Sequence, residues 1–485
     1  MKRPNILIFM TDQQRGDSVL PGNAARMPNI SRFREQGLTF TETFCPSPHC
    51  CPSRATFFTG LYPSQHGVWH NVHVANAISR GLKDGVRTWS EDLRDAGYRM
   101  FFSGKWHISI DQTPGNRGWD GPLAGKNAPD NDWPAYERLL QNRAATRAEG
   151  QIFTPGYSEF RLYGEGNEDS NGNGLVQYDL RVTEEAISKL NALTGENNKQ
   201  PWCMFVGCIG PHDPYIVPKR FLDLYDIENI RLPASYSDTL RDKPNFYRRT
   251  RDLFDQLTER EHREALRHYL AFCSFEDDLF GQVLAALDRT GQAEDTLVMF
   301  CSDHGDYAAE HGLWCKGIPC FRGAYHVPMV VRWPKRLVRP GRSVDVMVSL
   351  ADVAPTLLEL AGIQVERSMV GQSLAPFFRD DRPSVWRDAL FTQTNGNELY
   401  GIQRSIFTKD WKFVYNGFDY DELYDLKNDP AEMLNLVNDP HCQETIRNLM
   451  RRIWQFAFET GDTCTNEYIM VRFPKYGPGI AFQSK

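Results

Sequence analysis

No stretch of the 485 residues is apolar over the roughly 20 positions that a membrane-spanning helix needs, so no membrane span is expected. Basic residues are not in excess either. The 55 lysines and arginines are outnumbered by 62 acidic residues, and the formal charge of −7 argues against broad nucleic-acid binding. A local basic pocket for one anionic group is still compatible with that sign. No CxxC pair occurs among the 11 cysteines, whose odd number and scatter favour neither a disulfide framework nor a structural zinc site. Most are expected to be buried thiols. Internal repeats and low-complexity tracts are absent, which excludes solenoid and disordered-scaffold architectures. Met1 to Asn5 runs straight into the apolar Ile6–Met10, with no room for a signal peptide and cleavage site, so a cytoplasmic protein is expected.

What the chain has is length and a repeating α/β pattern. At 485 residues it exceeds the size at which one core stops growing, so a large domain with a smaller appendage is expected. Asn5 to Met10, Trp202 to Cys208 and Thr296 to Cys301 read as strands buried on both faces, each followed by polar residues. Thr88 to Ala96, Leu180 to Leu193 and Glu259 to Leu287 carry the apolar spacing of helices that cover a sheet. Residues 110–175, rich in Gly, Pro, Asn and Asp, read as a long insertion at an active-site mouth. Beyond about residue 370 the pattern shortens. Ala389 to Thr392 and Trp411 to Tyr415 suggest a small antiparallel sheet, and Cys442 to Phe458 a final helix. The expected division is a catalytic α/β domain over 1–370 and a C-terminal α+β subdomain over 371–485.

Ligands of parallel sheets bind beyond the carboxyl ends of the strands, so the polar residues there are the first candidates for chemistry. Asp12 and Gln13 follow the first strand, and Asp303 and His304 follow another. One Asp after a strand is ordinarily a turn or helix cap. Two such pairs point to a shared divalent cation: carboxylates and an amide oxygen suit Ca²⁺, while the imidazole leaves Mn²⁺ or Mg²⁺ open. His212, in Pro211-His212-Asp213-Pro214, is the candidate general acid. His66, His311 and His326 read as turn or packing groups, and Trp69 and Trp106 as core.

In Cys45-Pro46-Ser47-Pro48-His49-Cys50-Cys51-Pro52-Ser53-Arg54, only Cys50 begins a Cys-x-Pro-x-Arg pentapeptide. On its own this is a Cys/Pro-rich turn with buried thiols. The pentapeptide and its continuation Ala55 to Val68 resemble the maturation signature and following helix of the formylglycine-dependent sulfatases, and the likeness extends from Pro4-Asn5-Ile6-Leu7 to the Leu423–Glu432 segment. The resemblance implies an alkaline-phosphatase-like α/β/α sandwich around a large mixed sheet. It also implies that a maturation enzyme oxidises Cys50 to an aldehyde. The hydrate of that aldehyde attacks sulfur with one hydroxyl and expels sulfate with the help of the other. Arg54 then sits by the diol and the cation, Lys105 clamps sulfate, His107 assists its elimination, and Lys316 bridges sulfate and leaving oxygen.

Many members of this family carry Asp where this chain has Gln13, and Asn where it has His304. The Asp12, Gln13, Asp303, His304 set resembles the choline-sulfatase and phosphonate-monoester-hydrolase branch, as does Asn71, which there contacts the substrate anion. Lys105 and His107 resemble arylsulfatase and carbohydrate-sulfatase residues instead. The expected substrate is therefore a small-molecule or carbohydrate sulfate monoester, with phosphonate monoester or phosphodiester hydrolysis as the alternative. A binder of sulfated ligands that keeps Cys50 unmodified is the rival from another class. The alcohol portion and the oligomeric state are not legible.

Overall fold

A computed structural model of the chain describes residues 3–74, 77–120, 146–153, 159–168, 174–193, 200–379, 382–397, 399–463 and 474–483. Its main sheet has seven strands: β1 (Asn5–Thr11), β2 (Leu38–Phe44), β3 (Arg99–Gly104), β4 (Trp202–Gly207), β5 (Thr296–Ser302), β6 (Met329–Arg332) and β7 (Arg342–Ser349). Their spatial order is β7-β2-β6-β5-β1-β4-β3, and only β6 runs antiparallel to its neighbours. The carboxyl ends of β1, β2, β3, β4 and β5 consequently share one edge. The three expected strands are present, each within a residue of its expected limits.

Side chains alternate across this sheet, as the period of two requires. Ile6, Ile8 and Met10 of β1 join one core, with Phe57, Phe58, Trp89, Leu93 and Leu357. Leu7 and Phe9 join the other, with Ile30, Phe33, Val182, Leu190, Phe272 and Phe280. On the first face lie α2 (Cys50–Thr59), α3 (Trp89–Asp95) and α6 (Val353–Leu360); on the second lie α1 (Pro28–Glu35), α4 (Leu175–Ala192) and α5 (Glu259–Arg289). This is the expected α/β/α sandwich.

Helix limits follow their caps. Thr258 and Glu261 close a reciprocal capping box at the start of α5, Glu261 N donating to Thr258 Oγ1 at 3.3 Å and Thr258 N to Glu261 Oε2 at 2.9 Å. Helix α4 begins at Leu175, five residues before the expected start, because its first turn buries the polar Gln177 and Asp179 and so breaks the apolar period. Parts of the 110–175 insertion lie outside the described residues. Its described portions include the short strand Tyr163–Gly166, which pairs in parallel with Tyr215–Pro218 just after His212.

Toward the C-terminus, β8 (Ala389–Thr394), β9 (Gln403–Thr408), β10 (Trp411–Asn416) and β11 (Glu422–Asp425) form an antiparallel meander covered by α7 (Gln443–Glu459). Ile406, Phe413, Leu423, Leu449, Ile453 and Trp454 build its own core. It also reaches the main body: Gln393 N donates to Pro46 O at 2.8 Å, and Tyr247 OH donates to Glu422 Oε1 at 2.6 Å. The ten described cysteines are all free. No helix among the described residues is long and apolar enough to cross a membrane.

Phe205 of β4 stacks on Phe102 at 4.8 Å between ring centroids and meets Phe58 of α2 at 5.2 Å. Phe205→Ala is expected to destabilise the fold by about 3–5 kcal/mol, read by urea denaturation, through the cavity it leaves under the sheet.

Candidate active site

The sheet edge gathers residues that are distant in sequence. Asp12 and Gln13 leave β1, Lys105 and His107 leave β3, His212 follows β4, and Asp303 and His304 leave β5. The loop after β2 turns into α2, whose first residue is Cys50. Every residue of α2 is buried, so the helix cannot rotate Cys50 away, and its positive end faces the edge.

Ligand-type atoms of Asp12, Cys50, Asp303 and His304 lie within 4.8 Å of one another, all fully buried. His304 Nε2 is 3.4 Å from Asp12 Oδ1 and 3.2 Å from Cys50 Sγ. On the other side of its ring, Nδ1 is 2.9 Å from Gly305 O, an arrangement in which Nδ1–H donates and Nε2 is left as a lone pair facing the cluster. Two buried carboxylates and an oriented imidazole fit a divalent cation. Gln13 is differently engaged from the expected ligand: its Oε1 accepts from Lys316 Nζ at 2.6 Å, and its Nε2 donates to Asp306 at 2.6 Å and Asp213 at 2.9 Å.

Three permanent cations surround the cluster. Arg54 donates Nε to Asp303 at 2.7 Å and Nη2 to Asp12 at 3.2 Å, while Lys105 Nζ donates to Asp12 at 2.5 Å. Burial alone pushes the Cys50 thiol up, yet Lys105 and Lys316 hold it well below the ordinary thiol range. The surrounding charges therefore favour a negative charge at residue 50.

The two candidate imidazoles are pulled in opposite directions. Burial and Lys105 bring His107 down to about 4, so it is neutral near pH 7. Burial and Lys316 also press on His212, but Asp213 and Asp12 outweigh them and hold it above the ordinary range. Its Nε2 lies 2.5 Å from Lys316 Nζ, and its Nδ1 2.5 Å from Asp213 O. The two imidazoles therefore differ in their affinity for a proton.

Asn71 does not extend freely into the site: its Oδ1 accepts from Cys51 N at 3.1 Å, tying residues 71–73 to the start of α2. Several positioning groups went unseen in the sequence. Asp179 accepts the amides of Ile209 at 2.7 Å and Gly210 at 2.8 Å, holding the loop that carries His212. Burial raises Asp179 to about 7 and lifts its neighbour Glu276 well above the ordinary range, in part through the charge of Asp179. Asp306 takes both Gln13 and Tyr215 OH, the latter at 2.6 Å. His107 Nε2 lies 2.7 Å from His73 Nδ1. Asp213 sits inside a motif already singled out, whereas Asp306, Asp179 and His73 carry no spacing signal.

The sequence profile of the Sulfatase family matches residues 4–363. The chain belongs to the sulfatase family. A second profile, N-sulphoglucosamine sulphohydrolase, C-terminal, matches residues 309–459. Among relatives of this sulfatase, the choline-sulfatase of Rhizobium meliloti is 31% identical over 464 residues, covering 90% of this chain and 83% of that protein. Arylsulfatase K of Danio rerio is 28% identical, covering 93% of this chain and 84% of that protein. The solved phosphonate monoester hydrolase of Silicibacter pomeroyi superposes with a TM-score of 0.75 at 21% identity, covering 95% of this chain and 96% of that one. That likeness confirms the alkaline-phosphatase-like fold.

Gly104, between β3 and Lys105, has a φ of +103°, and a Cβ there would lie 2.0 Å from Gly207 O. Gly104→Ala is expected to lower kcat at least about tenfold by displacing Lys105 and His107, and to cost about 1–3 kcal/mol of stability. Steady-state kinetics and thermal denaturation check both.

Proposed function

We propose that this sulfatase hydrolyses sulfate monoesters to an alcohol and sulfate with the aldehyde hydrate of residue 50 as nucleophile. The observation that carries this is the meeting of Cys50, Asp12, Asp303 and His304 within 4.8 Å at one sheet edge. One hydroxyl of the hydrate attacks sulfur as the S–O bond to the alcohol breaks; the other loses its proton and re-forms the aldehyde as the C–O bond to sulfate breaks, and water restores the hydrate. Lys105, Lys316 and Arg54 hold the nonbridging oxygens; His212 protonates the leaving alcohol; His107 accepts the proton from the residue-50 hydroxyl.

Asp12, Asp303 and His304, with Gln13 beside them, are the residues that would hold one divalent cation, Ca²⁺ foremost and Mn²⁺ or Mg²⁺ as alternatives. When bound, the cation supplies Lewis-acid charge at a sulfate oxygen. The charge balance supports the need for it. Arg54, Lys105 and Lys316 face Asp12, Asp303 and Asp213, so the fixed side chains alone come close to cancelling.

The substrate is a small-molecule or carbohydrate sulfate ester. One solved structure with this fold is of a protein in complex with its substrate D-glucosamine-2-N,6-O-disulfate, at a TM-score of 0.73 and 20% identity. A maturation enzyme that oxidises Cys50 is the implied partner. The separate core under β8–β11 and α7 supports a division near residue 370 into a catalytic domain and a C-terminal subdomain. Phosphonate monoester hydrolysis is the second reading, favoured by Gln13, Asn71 and His304 and by the Silicibacter pomeroyi fold match.

Three measurements test this. Protein made with a maturation enzyme should show an aldehyde in the residue-50 peptide by mass spectrometry, and Cys50→Ala should lower aryl-sulfate turnover by at least about a thousandfold. Equal turnover by both proteins would sink the mechanism, and tight binding of sulfate esters without turnover, with Cys50 still a thiol, would favour the binder. Chelation should abolish turnover, with Ca²⁺ restoring most of it. A higher kcat/KM for a phenyl phosphonate ester than for an aryl sulfate would reverse the substrate ranking.

A further inference from the structure

His107 follows β3 with a φ of 55°, and its ring stacks on that of His73 at 4.7 Å between centroids. Its Nε2 lies 2.7 Å from His73 Nδ1, so one proton is shared between two nitrogens and one ring must act as acceptor. The remaining nitrogen of His107, Nδ1, is buried and makes no other hydrogen bond among the described residues. Ligand-type atoms of His107, His73 and Cys51 lie within 4.8 Å of one another, so the ring stands beside the first turn of α2, next to residue 50 in sequence. His73 in turn is fixed relative to that group. Asn71 Oδ1 holds Cys51 N at 3.1 Å, and Val72 N donates to Cys51 Sγ at 3.3 Å, which pins residues 71–73 to the first turn of α2.

We infer that His73 is a positioning residue: its Nδ1 accepts from His107 Nε2–H and thereby leaves the His107 Nδ1 lone pair facing residue 50. The inference rests on the reading of His107 as the proton acceptor. The reverse tautomer would turn an N–H toward residue 50 and could not take the proton that the proposed reaction removes there; only the lone pair can accept it. His73 thus acts on His107 as the orienting group of a base acts in a catalytic triad, without touching substrate.

Two substitutions separate this role from packing. His73→Asn keeps an acceptor oxygen near the place of Nδ1, whereas His73→Leu removes it. The expected result is a kcat lowered about tenfold to a hundredfold in His73→Leu with KM changed less than about threefold, and recovery to within about fivefold of the parent in His73→Asn. Nitrogen-15 shifts of the His107 ring should report the Nε2–H form in the parent and in His73→Asn, with the Nδ1–H form rising in His73→Leu. Equal kcat in all three proteins, an equal loss in both variants, or a parent His107 in the Nδ1–H form would overturn the inference. The shifts are read on protein with Cys50 unmodified. A parent inactive on sulfate esters after aldehyde formation would therefore count against the proposed reaction, while the shifts still decide the role of His73.

Discussion

Arg54 bridges two carboxylates that would otherwise repel each other in the dark of the protein. Its Nε meets Asp303 and its Nη2 meets Asp12, all three side chains having no solvent exposure, and its Nη1 donates to Lys105 O at 2.6 Å. One guanidinium thus ties the ends of β1, β3 and β5 together from a position one helical turn past Cys50. The planar fork is what makes this possible; an ammonium would serve one partner at a time. Burying these charges is costly by itself, and the ion pair repays it only because each carboxylate has further partners, among them Gln13 N and His304 N on Asp303 Oδ1. Cys50, Asp12, Asp303 and Lys105 are therefore set by one shared contact rather than placed separately.

Around that bridge the backbone is held in conformations that side chains rarely adopt. Gln13, His107 and Cys315 have φ values of 67°, 55° and 62°, each at or next to a residue that faces the site. Hydrogen bonds hold these turns: Tyr269 OH donates to Gln13 O at 3.1 Å, and Tyr307 N to Cys315 O at 2.9 Å. Gln13 and His107 lie two and three residues beyond the ends of β1 and β3, so these unusual turns are where the chain leaves those strands for the site.

Three of the strands that bear the site, β1, β4 and β5, were legible because burial on both faces makes them continuous apolar runs, as in Leu7, Ile8 and Phe9; β2 and β3 were not read as strands. Strand β7 was not, since its edge position lets exposed and half-buried residues alternate along Arg342–Val346. Cys50, Arg54, Lys105, His107, His212, Asp303 and His304 were found through motif and strand-end position, and the structure brings them together. Asp179 escaped because it works through the amides of Ile209 and Gly210, and its burial in the first turn of α4 also disguised where that helix begins. Gln13 shows the limit of residue type as a guide. An amide can offer oxygen to a cation, but here both of its ends are taken by Lys316, Asp306 and Asp213.

Helix α2 is buried on every side, and Cys50 at its head is 1% exposed. Under the proposed reaction, an enzyme that oxidises this thiol would have to reach it before α2 is buried. The share of active protein would then be set by a race between that oxidation and folding.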